Sequence, residues 1–241
     1  MLGICEIIKG KENVILKNST DRFFVYGNKI ISYNKEHKLN YMVYSQNKWN
    51  SYTIATLNKD IELKKIMVAS NGKNENLFFS ASIKGENSLI HCVLGDNAMP
   101  CVIGRIKGEE FFVYKNMVYF TNDNEIIGCC DFSDSNPEEF TACFEGELTY
   151  VEDGKIVYKK GDDIFINDRK WASDKNAQTP IVINNILMWK SGSHIRYISK
   201  NGKMKKYVSN GIEPEIFIIS DKNKCVYRYG FFSGGRLKLF S

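Results

Sequence analysis

The stretch that decides the fold is Phe23-Phe-Val-Tyr-Gly-Asn-Lys-Ile-Ile-Ser-Tyr33, which returns as Phe111-Phe-Val-Tyr-Lys-Asn-Met-Val-Tyr-Phe-Thr121. Looser copies occupy residues 148–158 and 181–189. Every copy joins two apolar runs through a turn centred on Asn or Gly. Because Asn and Gly tolerate a positive φ, such a turn suits a tight connection between antiparallel strands. The phrase therefore predicts a β-hairpin that recurs along the chain.

The hairpin is part of a longer repeat. Its turn centres lie 31 to 44 residues apart, at Asn28, Gly72, Asn116, Gly154, Asn185 and Asn223. In the first five units a second pair of strand-like runs follows, joined by a polar turn. A large apolar residue comes after that turn each time, namely Trp49, Met99, Phe140, Trp171 and Met204. The pattern predicts four strands per unit, and we find almost no helical periodicity.

A period near 40 residues with four strands per unit resembles the β-propeller superfamily. This resemblance implies an all-β fold with six blades in a single domain, residues 1–241. The predicted blades are residues 22–57, 63–106, 110–144, 147–174, 180–208 and 215–241 plus 13–17. The last unit has only three strand candidates, so we expect an N-terminal strand around Val14-Ile-Leu to close it. A five-bladed ring is the first alternative and a β-sandwich the second.

Composition limits the partners and the compartment. The 241 residues carry a net charge of +5, and their densest basic cluster surrounds an Asn-Gly turn. We interpret that cluster as a solvated hairpin and expect no nucleic-acid partner. No apolar run approaches the ~18 residues of a membrane span, and no secretory signal is visible, so we expect no membrane association. A cytoplasmic location, or a place in a particle released by lysis, fits these features.

Histidine and cysteine patterns give no support for a metal or another cofactor. His91 and His194 fall in corresponding strands and could face a central channel, but ordinary strand alternation explains both. None of the seven cysteines forms a Cys-x-x-Cys pair. Because they lie within apolar strand-like runs, we expect free, buried thiols in a reducing compartment.

No catalytic motif stands out. The adjacent carboxylates Glu109-Glu110, Glu138-Glu139 and Asp162-Asp163 diverge if they lie in strands, whereas a glycosidase needs two that converge. Phosphate-binding glycine loops and a nucleophile elbow are missing from the sequence. We therefore expect a protein that is not an enzyme, and keep a hydrolase with a central-channel site as an alternative.

Two tryptophans are the candidate ligand-binding residues. Trp49 and Trp171 each follow a polar turn, as aromatic platforms for sugars often do, although Met99, Phe140 and Met204 hold the equivalent positions and favour a packing role. Propellers present loop-built faces suited to recognition. Our hypothesis is a binding or assembly module for protein partners, such as a component of a phage tail. A lectin-like module that binds glycans is the alternative.

Overall fold

The structure is a computed structural model in which every described regular element is a β-strand. It describes the backbone of residues 4–8, 11–16, 20–26, 29–34, 36–94, 99–134, 136–183, 185–198, 202–208, 215–221, 226–233 and 236–240. It describes the side chains of residues 29–34, 36–94, 99–134, 136–182, 185–198 and 202–205. Within these residues, no helix has the length and apolar character needed to cross a membrane.

Five antiparallel sheets of four strands make up most of the described chain. The first contains β3 (Thr20–Tyr26), β4 (Lys29–Asn34), β5 (Lys38–Ser45) and β6 (Lys48–Thr56). The second contains β7 (Ile61–Ser70), β8 (Glu75–Ile83), β9 (Glu86–Val93) and β10 (Cys101–Arg105). The third contains β11 (Phe111–Tyr114), β12 (Met117–Thr121), β13 (Ile126–Asp131) and β14 (Thr141–Glu145). The fourth contains β15 (Glu147–Glu152), β16 (Lys155–Lys160), β17 (Asp163–Ile166) and β18 (Arg169–Ser173). The fifth contains β19 (Ala177–Ile183), β20 (Ile186–Ser191), β21 (His194–Ile198) and β22 (Met204–Val208).

In each of these sheets, neighbours along the chain are neighbours in the sheet, so the first and fourth strands are its two edges. This order confirms the prediction of four antiparallel strands per unit. Turn chemistry explains it locally, because Lys84-Gly85 and Asp153-Gly154 both have positive φ at their two positions. That conformation matches the twist of the strands that the turn connects.

The two ends of the chain form smaller sheets. β23 (Glu215–Asp221), β24 (Val226–Ser233) and β25 (Arg236–Phe240) make a three-stranded sheet, and β1 (Ile4–Ile8) pairs with β2 (Lys11–Leu16). This corrects the predicted closing strand, because Val14 lies opposite Cys5 of β1 and β2 does not join the last sheet in the described pairing. Two residues separate β1 from β2, so their pairing closes a far shorter loop than pairing with the distant C-terminal strands. A total of six blades stays a prediction.

A backbone hydrogen bond repeats from sheet to sheet. The residue that follows the fourth strand donates its N–H to a carbonyl at the start of the third strand. The donors are Leu57, Ile106, Gly146 and Asp174, and their acceptors are His37, Asn87, Glu125 and Asp162, at 2.8 to 3.0 Å. The same bond in four sheets shows that the fourth strand ends in the same way in these four units, whatever residue follows it.

The chain divides into two compact units, one of residues 1–118 with 130–139 and the other of residues 119–129 with 140–241. An apolar cluster of the first unit is built from the first two sheets, with Leu39, Leu77 and Phe79 fully buried. In the second unit, the fourth and fifth sheets pack around Val157, Ile164 and Trp189. Apolar burial of this kind is the main stabilising term for such a fold. A single domain over residues 1–241 stays a prediction.

The cysteines depart partly from expectation. Cys92, Cys129 and Cys130 are buried thiols, as predicted, whereas Cys101 and Cys143 are exposed thiols. The exposed pair lies on β10 and β14, which are edge strands. Most side chains of β10 and β14 are exposed, so an apolar run does not predict burial in these two strands. Cys5 and Cys225 lie outside the described side chains.

Candidate functional site

Exposed apolar side chains concentrate on the outer part of the sheets. The large ones among the described residues are Tyr44, Tyr52, Met99, Val102 and Met204. Four of them lie in a fourth strand or within two residues of one, and Tyr44 lies in β5, opposite Trp49 of β6. Apolar residues exposed singly are common, whereas exposed apolar groups that lie together mark a candidate interaction site.

β6 differs from the other fourth strands in length and charge. It has nine residues, whereas β10, β14, β18 and β22 have five each. Its eight residues after Lys48, Trp-Asn-Ser-Tyr-Thr-Ile-Ala-Thr, include no charged residue and no Pro. Natural sheet edges are usually short or protected by charge or Pro, because their free backbone groups can pair with another chain. We call β6, with its outward backbone groups, the β6 edge.

The turn before β6 decides which backbone groups face outward. Gln46 and Asn47 have φ values of 51° and 60°, as a two-residue type I′ turn requires. Ser45 and Lys48 flank this turn as a pair, so their backbone groups bond to each other across β5 and β6. Because successive residues of a strand alternate, the N–H groups of Trp49, Ser51 and Thr53 point away from β5.

One aromatic pair lies on each face of the sheet beside this edge. On one face, Tyr52 is 57% exposed and stands opposite Tyr41, with ring centroids 6.5 Å apart. On the other, Tyr44 stands opposite Trp49, with centroids 5.4 Å apart. Cross-strand aromatic pairs stabilise a sheet through side-chain contact. They hold the β6 edge in place and present rings to anything that lies along it.

Trp49, a predicted ligand-binding residue, is therefore part of this edge. Its ring packs against Ile30 and Met42, and its Nε1 is buried with no hydrogen-bond partner among the described residues. The polar edge of the indole thus points inward. The ring covers the sheet while its backbone N–H belongs to the outward row.

Trp171, the second candidate, lies in β18 with different neighbours. Its ring packs on the apolar cluster of the fourth and fifth sheets, and the Arg169 guanidinium lies 5.0 Å from the ring centroid. Phe140, at the equivalent position of the third unit, packs over Gly128, where a Cβ would come within 2.5 Å of the ring. Met99 and Met204 are exposed. The large apolar residue that follows the polar turn of each unit is therefore a packed ring in some units and an exposed side chain in others.

No protein-family model matches the chain, and no curated protein matches it. Solved structures do match. The CNH domain of AfRom2 has a TM-score of 0.60 at 7% identity, over 95% of this chain and 82% of that one. BamB from Moraxella catarrhalis has 0.57 at 10% identity, over 95% and 75%. Sqt1 from Saccharomyces cerevisiae has 0.57 at 8% identity, over 98% and 76%. These neighbours have β-propeller folds.

The chain folds as a β-propeller. At these identities the likeness concerns the fold alone, so function must be argued from the residues of this propeller. Each four-stranded sheet is a blade, and β6 is the outer strand of the first blade.

The two strand histidines of the propeller have separate environments. His91 is 2% exposed, and its Nε2 lies 2.8 Å from Asn76 Oδ1. His194 is half-buried, and its Nδ1 lies 3.3 Å from Ser193 Oγ. Among the described residues, no group of three His, Cys, Asp or Glu side chains is placed to hold a metal ion.

The adjacent carboxylates are mostly exposed and several form ion pairs at the surface. Glu110 pairs with Lys65 at 2.6 Å, and Asp163 pairs with Lys170 at 2.8 Å. The hydrogen bonds from Lys170 and Ser173 lower the pKa of Asp163. The lowered pKa keeps Asp163 ionised at neutral pH, whereas a general acid needs a raised pKa.

Sequence reasoning missed two features of the propeller. The first is the β6 edge, whose signal was the uncharged stretch from Trp49 to Thr56 in a predicted fourth strand. The second is Asp174, which is buried after β18 and accepts a 2.8 Å hydrogen bond from Trp189 Nε1. Asp174 and Trp189 lie in different blades, and no local pattern predicts that they meet.

Proposed function

We propose that this propeller is a protein-binding module that takes up an extended segment of a partner along the β6 edge. The observation that carries the proposal is a nine-residue outer strand with one terminal Lys and no other charge. An added strand would satisfy the outward backbone groups of Trp49, Ser51 and Thr53. Main-chain hydrogen bonds of this kind supply affinity in β-augmentation, and side-chain contacts supply selectivity.

The side chains around the edge define the partner segment. A strand added beside β6 would place alternate side chains on the two faces of the sheet. On one face they would contact Tyr52, and on the other they would contact Trp49 and Ser51. Aromatic rings pair best with aromatic and β-branched residues across strands. The segment is therefore an uncharged strand rich in such residues, carried by another protein.

Ser51→Pro tests the proposal by removing one backbone N–H group from the β6 edge. Proline removes the outward N–H of an exposed residue and leaves the bonds between β5 and β6 intact. Ser51→Ala is the matched control, because it removes the hydroxyl group and keeps the N–H. The immobilised wild type and Ser51→Ala should capture the same partner protein from a lysate of the source organism. We expect Ser51→Pro to capture about tenfold less of it or lower still, since the loss of one main-chain bond costs ~1–2 kcal/mol.

Capture is measured by quantitative mass spectrometry, and circular dichroism checks the fold. Equal capture by all three proteins would contradict docking on the β6 edge. Light scattering of the isolated chain separates a second copy from a foreign partner. If the wild type is a dimer and Ser51→Pro is a monomer, the partner along the β6 edge is a second copy of this chain.

The finer alternatives stay proposals with tests of their own. Membership of a larger particle such as a phage tail would be supported if the captured partner were a structural protein of that particle. Carbohydrate binding would be supported by a glycan-array signal that Trp49→Ala or Trp171→Ala abolishes in a folded protein. The hydrolase alternative requires turnover of a substrate, which a binding module lacks.

A further inference from the structure

The fifth blade carries positive charge without any negative charge. Residues 177–208, from β19 to β22, contain no Asp and no Glu. Their six cations are Lys190, Arg196, Lys200, Lys203, Lys205 and Lys206. Of the 33 cations in the chain, the other 27 stand against 28 anions outside this blade. The fifth blade therefore has a net charge of +6, whereas the rest of the chain has −1. A local excess of one sign attracts groups of the opposite sign.

Charged outer strands of other blades have counter-ions close by. The ion pairs of β10, β14 and β18, at 2.7 to 2.9 Å, are Arg105–Glu86, Glu145–Lys160 and Lys170–Asp163. In each pair the partner belongs to the same blade or to the next blade along the chain. β22 has no carboxylate available in its own blade. Lysine on a sheet edge prevents pairing with other chains, but that role does not require a whole blade without an anion. The charge of the fifth blade indicates a surface for an anionic partner.

The cations of this blade have different roles. Arg196 is half-buried and lies 3.2 Å from Asp174, the buried carboxylate that follows β18, so its charge is used inside the fold. Lys203 and Lys205 are exposed instead, and between them Met204 is 52% exposed. A methionine is flexible and adapts its shape to an apolar group of a partner. The start of β22 therefore presents two cations with an adaptable apolar side chain between them.

We propose that the segment of Lys203, Met204 and Lys205 binds an acidic segment of a partner protein, in which apolar residues are interspersed with Asp or Glu. This surface belongs to a different blade from the β6 edge and does not depend on docking there. The two ammonium groups pair with carboxylates of the partner, and Met204 contacts an apolar side chain between them. Complementary charge of this kind raises the association rate and selects the partner.

A nucleic acid fits this surface less well. Proteins that bind single strands place aromatic rings beside their cations, and the bases stack on these rings. Among the described residues of the fifth blade, the exposed large apolar side chain is Met204 rather than a ring. Arginine suits phosphate because its guanidinium binds two oxygens at once, but Arg196 is paired with Asp174. The exposed lysines are point charges, which suit the separate carboxylates of a polypeptide.

The test uses the full chain and a fluorescein-labelled peptide of repeated Glu-Glu-Leu, with binding measured by fluorescence anisotropy at about 50 mM salt. We expect the Lys203→Gln/Lys205→Gln variant to bind this peptide about fivefold or more weakly than the wild type, since two ion pairs are lost. Arg105→Gln/Lys107→Gln is the matched control, because it removes two exposed cations at another outer strand and gives the same net charge. Its affinity should stay within about twofold of the wild type.

Met204→Ser tests the apolar part of the surface. It should weaken binding of the Glu-Glu-Leu peptide by about threefold and leave binding of an all-Glu peptide unchanged, because only the first peptide offers an apolar side chain. Equal effects on both peptides would overturn the interspersed apolar residues proposed for the partner.

Two results with the lysine variants would overturn the proposal as a whole. One is a wild type that does not bind the peptide. The other is an equal loss of affinity in both double variants, because binding would then follow net charge rather than this segment. An oligothymidylate of the same charge as the peptide is the third arm. If it binds more tightly than the peptide and the two lysines control that binding, the partner is a nucleic acid and not an acidic protein segment.

Discussion

β6 and β18 hold the same place in their blades, and each carries a tryptophan near its start, yet their edges differ. β6 has nine residues and leaves its central residues exposed without charge. β18 has five residues and opens with two cations, Arg169 over the Trp171 ring at 5.0 Å and Lys170 paired with Asp163 at 2.8 Å. The repeat sets the place of the strand, and the edge residues decide whether another chain can pair with it.

The residue that follows each strand adds to this difference. Leu57 and Asp174 donate the same backbone hydrogen bond, both at 2.8 Å. Leu57 packs against the apolar cluster of the first two blades. Asp174 instead accepts hydrogen bonds from Trp189 Nε1 at 2.8 Å and from the Asn176 N–H at 3.0 Å, and lies 3.2 Å from Arg196. The end of β18 is therefore anchored by a buried polar network, and the end of β6 by apolar packing.

Removal of the buried network should have the largest effect on stability. In Asp174→Ala, the Nε1 of fully buried Trp189 loses its acceptor and Arg196 loses its counter-ion. An unsatisfied buried donor costs ~1–3 kcal/mol, so we expect the free energy of unfolding to fall by about 2–3 kcal/mol in urea titrations.

Asp163→Ala is the matched control, because it removes an aspartate of the same blade whose partners Lys170 and Ser173 lie at the surface. We expect no measurable shift of its urea midpoint. If the two variants lost equal stability, the distinction between a buried anchor and a solvated edge would fail.

The sequence predicted the repeat more fully than the site, for physical reasons. Turns such as Asp153-Gly154 carry their conformation in two adjacent residues, so a local pattern finds them. The pairing of Val14 with Cys5, and of Asp174 with Trp189, depends on which segments meet after folding. The exposure of Tyr52 depends on β6 being an edge, which a strand pattern alone does not reveal.

Acid should act on the β18 anchor rather than on the β6 edge. Burial would raise the pKa of Asp174, but hydrogen bonds from Trp189, Ser191 and the Asn176 N–H, with the charge of Arg196, outweigh it and lower that pKa. A carboxyl with a lowered folded-state pKa stabilises the fold above its unfolded value of about 3.9. That stabilisation is lost as the pH falls through the lower folded-state pKa.

Acid should lower the free energy of unfolding by less than Asp174→Ala does. Between pH 6 and pH 3, the unfolding free energy of the wild type should fall more steeply than that of Asp174→Asn, which cannot ionise at this position. Urea titrations at several pH values measure both slopes. Parallel slopes would show that the network does not respond to pH.

The smallest effect concerns the cation over Trp171. Arg169→Ala removes the guanidinium from the ring and should lower the unfolding free energy by ~0.5–1 kcal/mol, as exposed cation–π contacts do. Arg105→Ala is the control, since it removes an outer-strand arginine that pairs with Glu86 and has no ring contact among the described residues. Urea titration followed by tryptophan fluorescence measures both. If Arg105→Ala lowered the unfolding free energy by as much or more, the contact between Arg169 and the Trp171 ring would not stabilise β18 in particular.

The most direct test of docking along β6 is residue-resolved amide hydrogen exchange with and without the captured partner. We predict that the amides of Trp49, Ser51 and Thr53, which face outward, become protected by about tenfold or more when the partner binds. The amides of β18 should exchange at the same rate in both samples. Protection at β18 with no change at Trp49, Ser51 and Thr53 would contradict strand addition at the β6 edge.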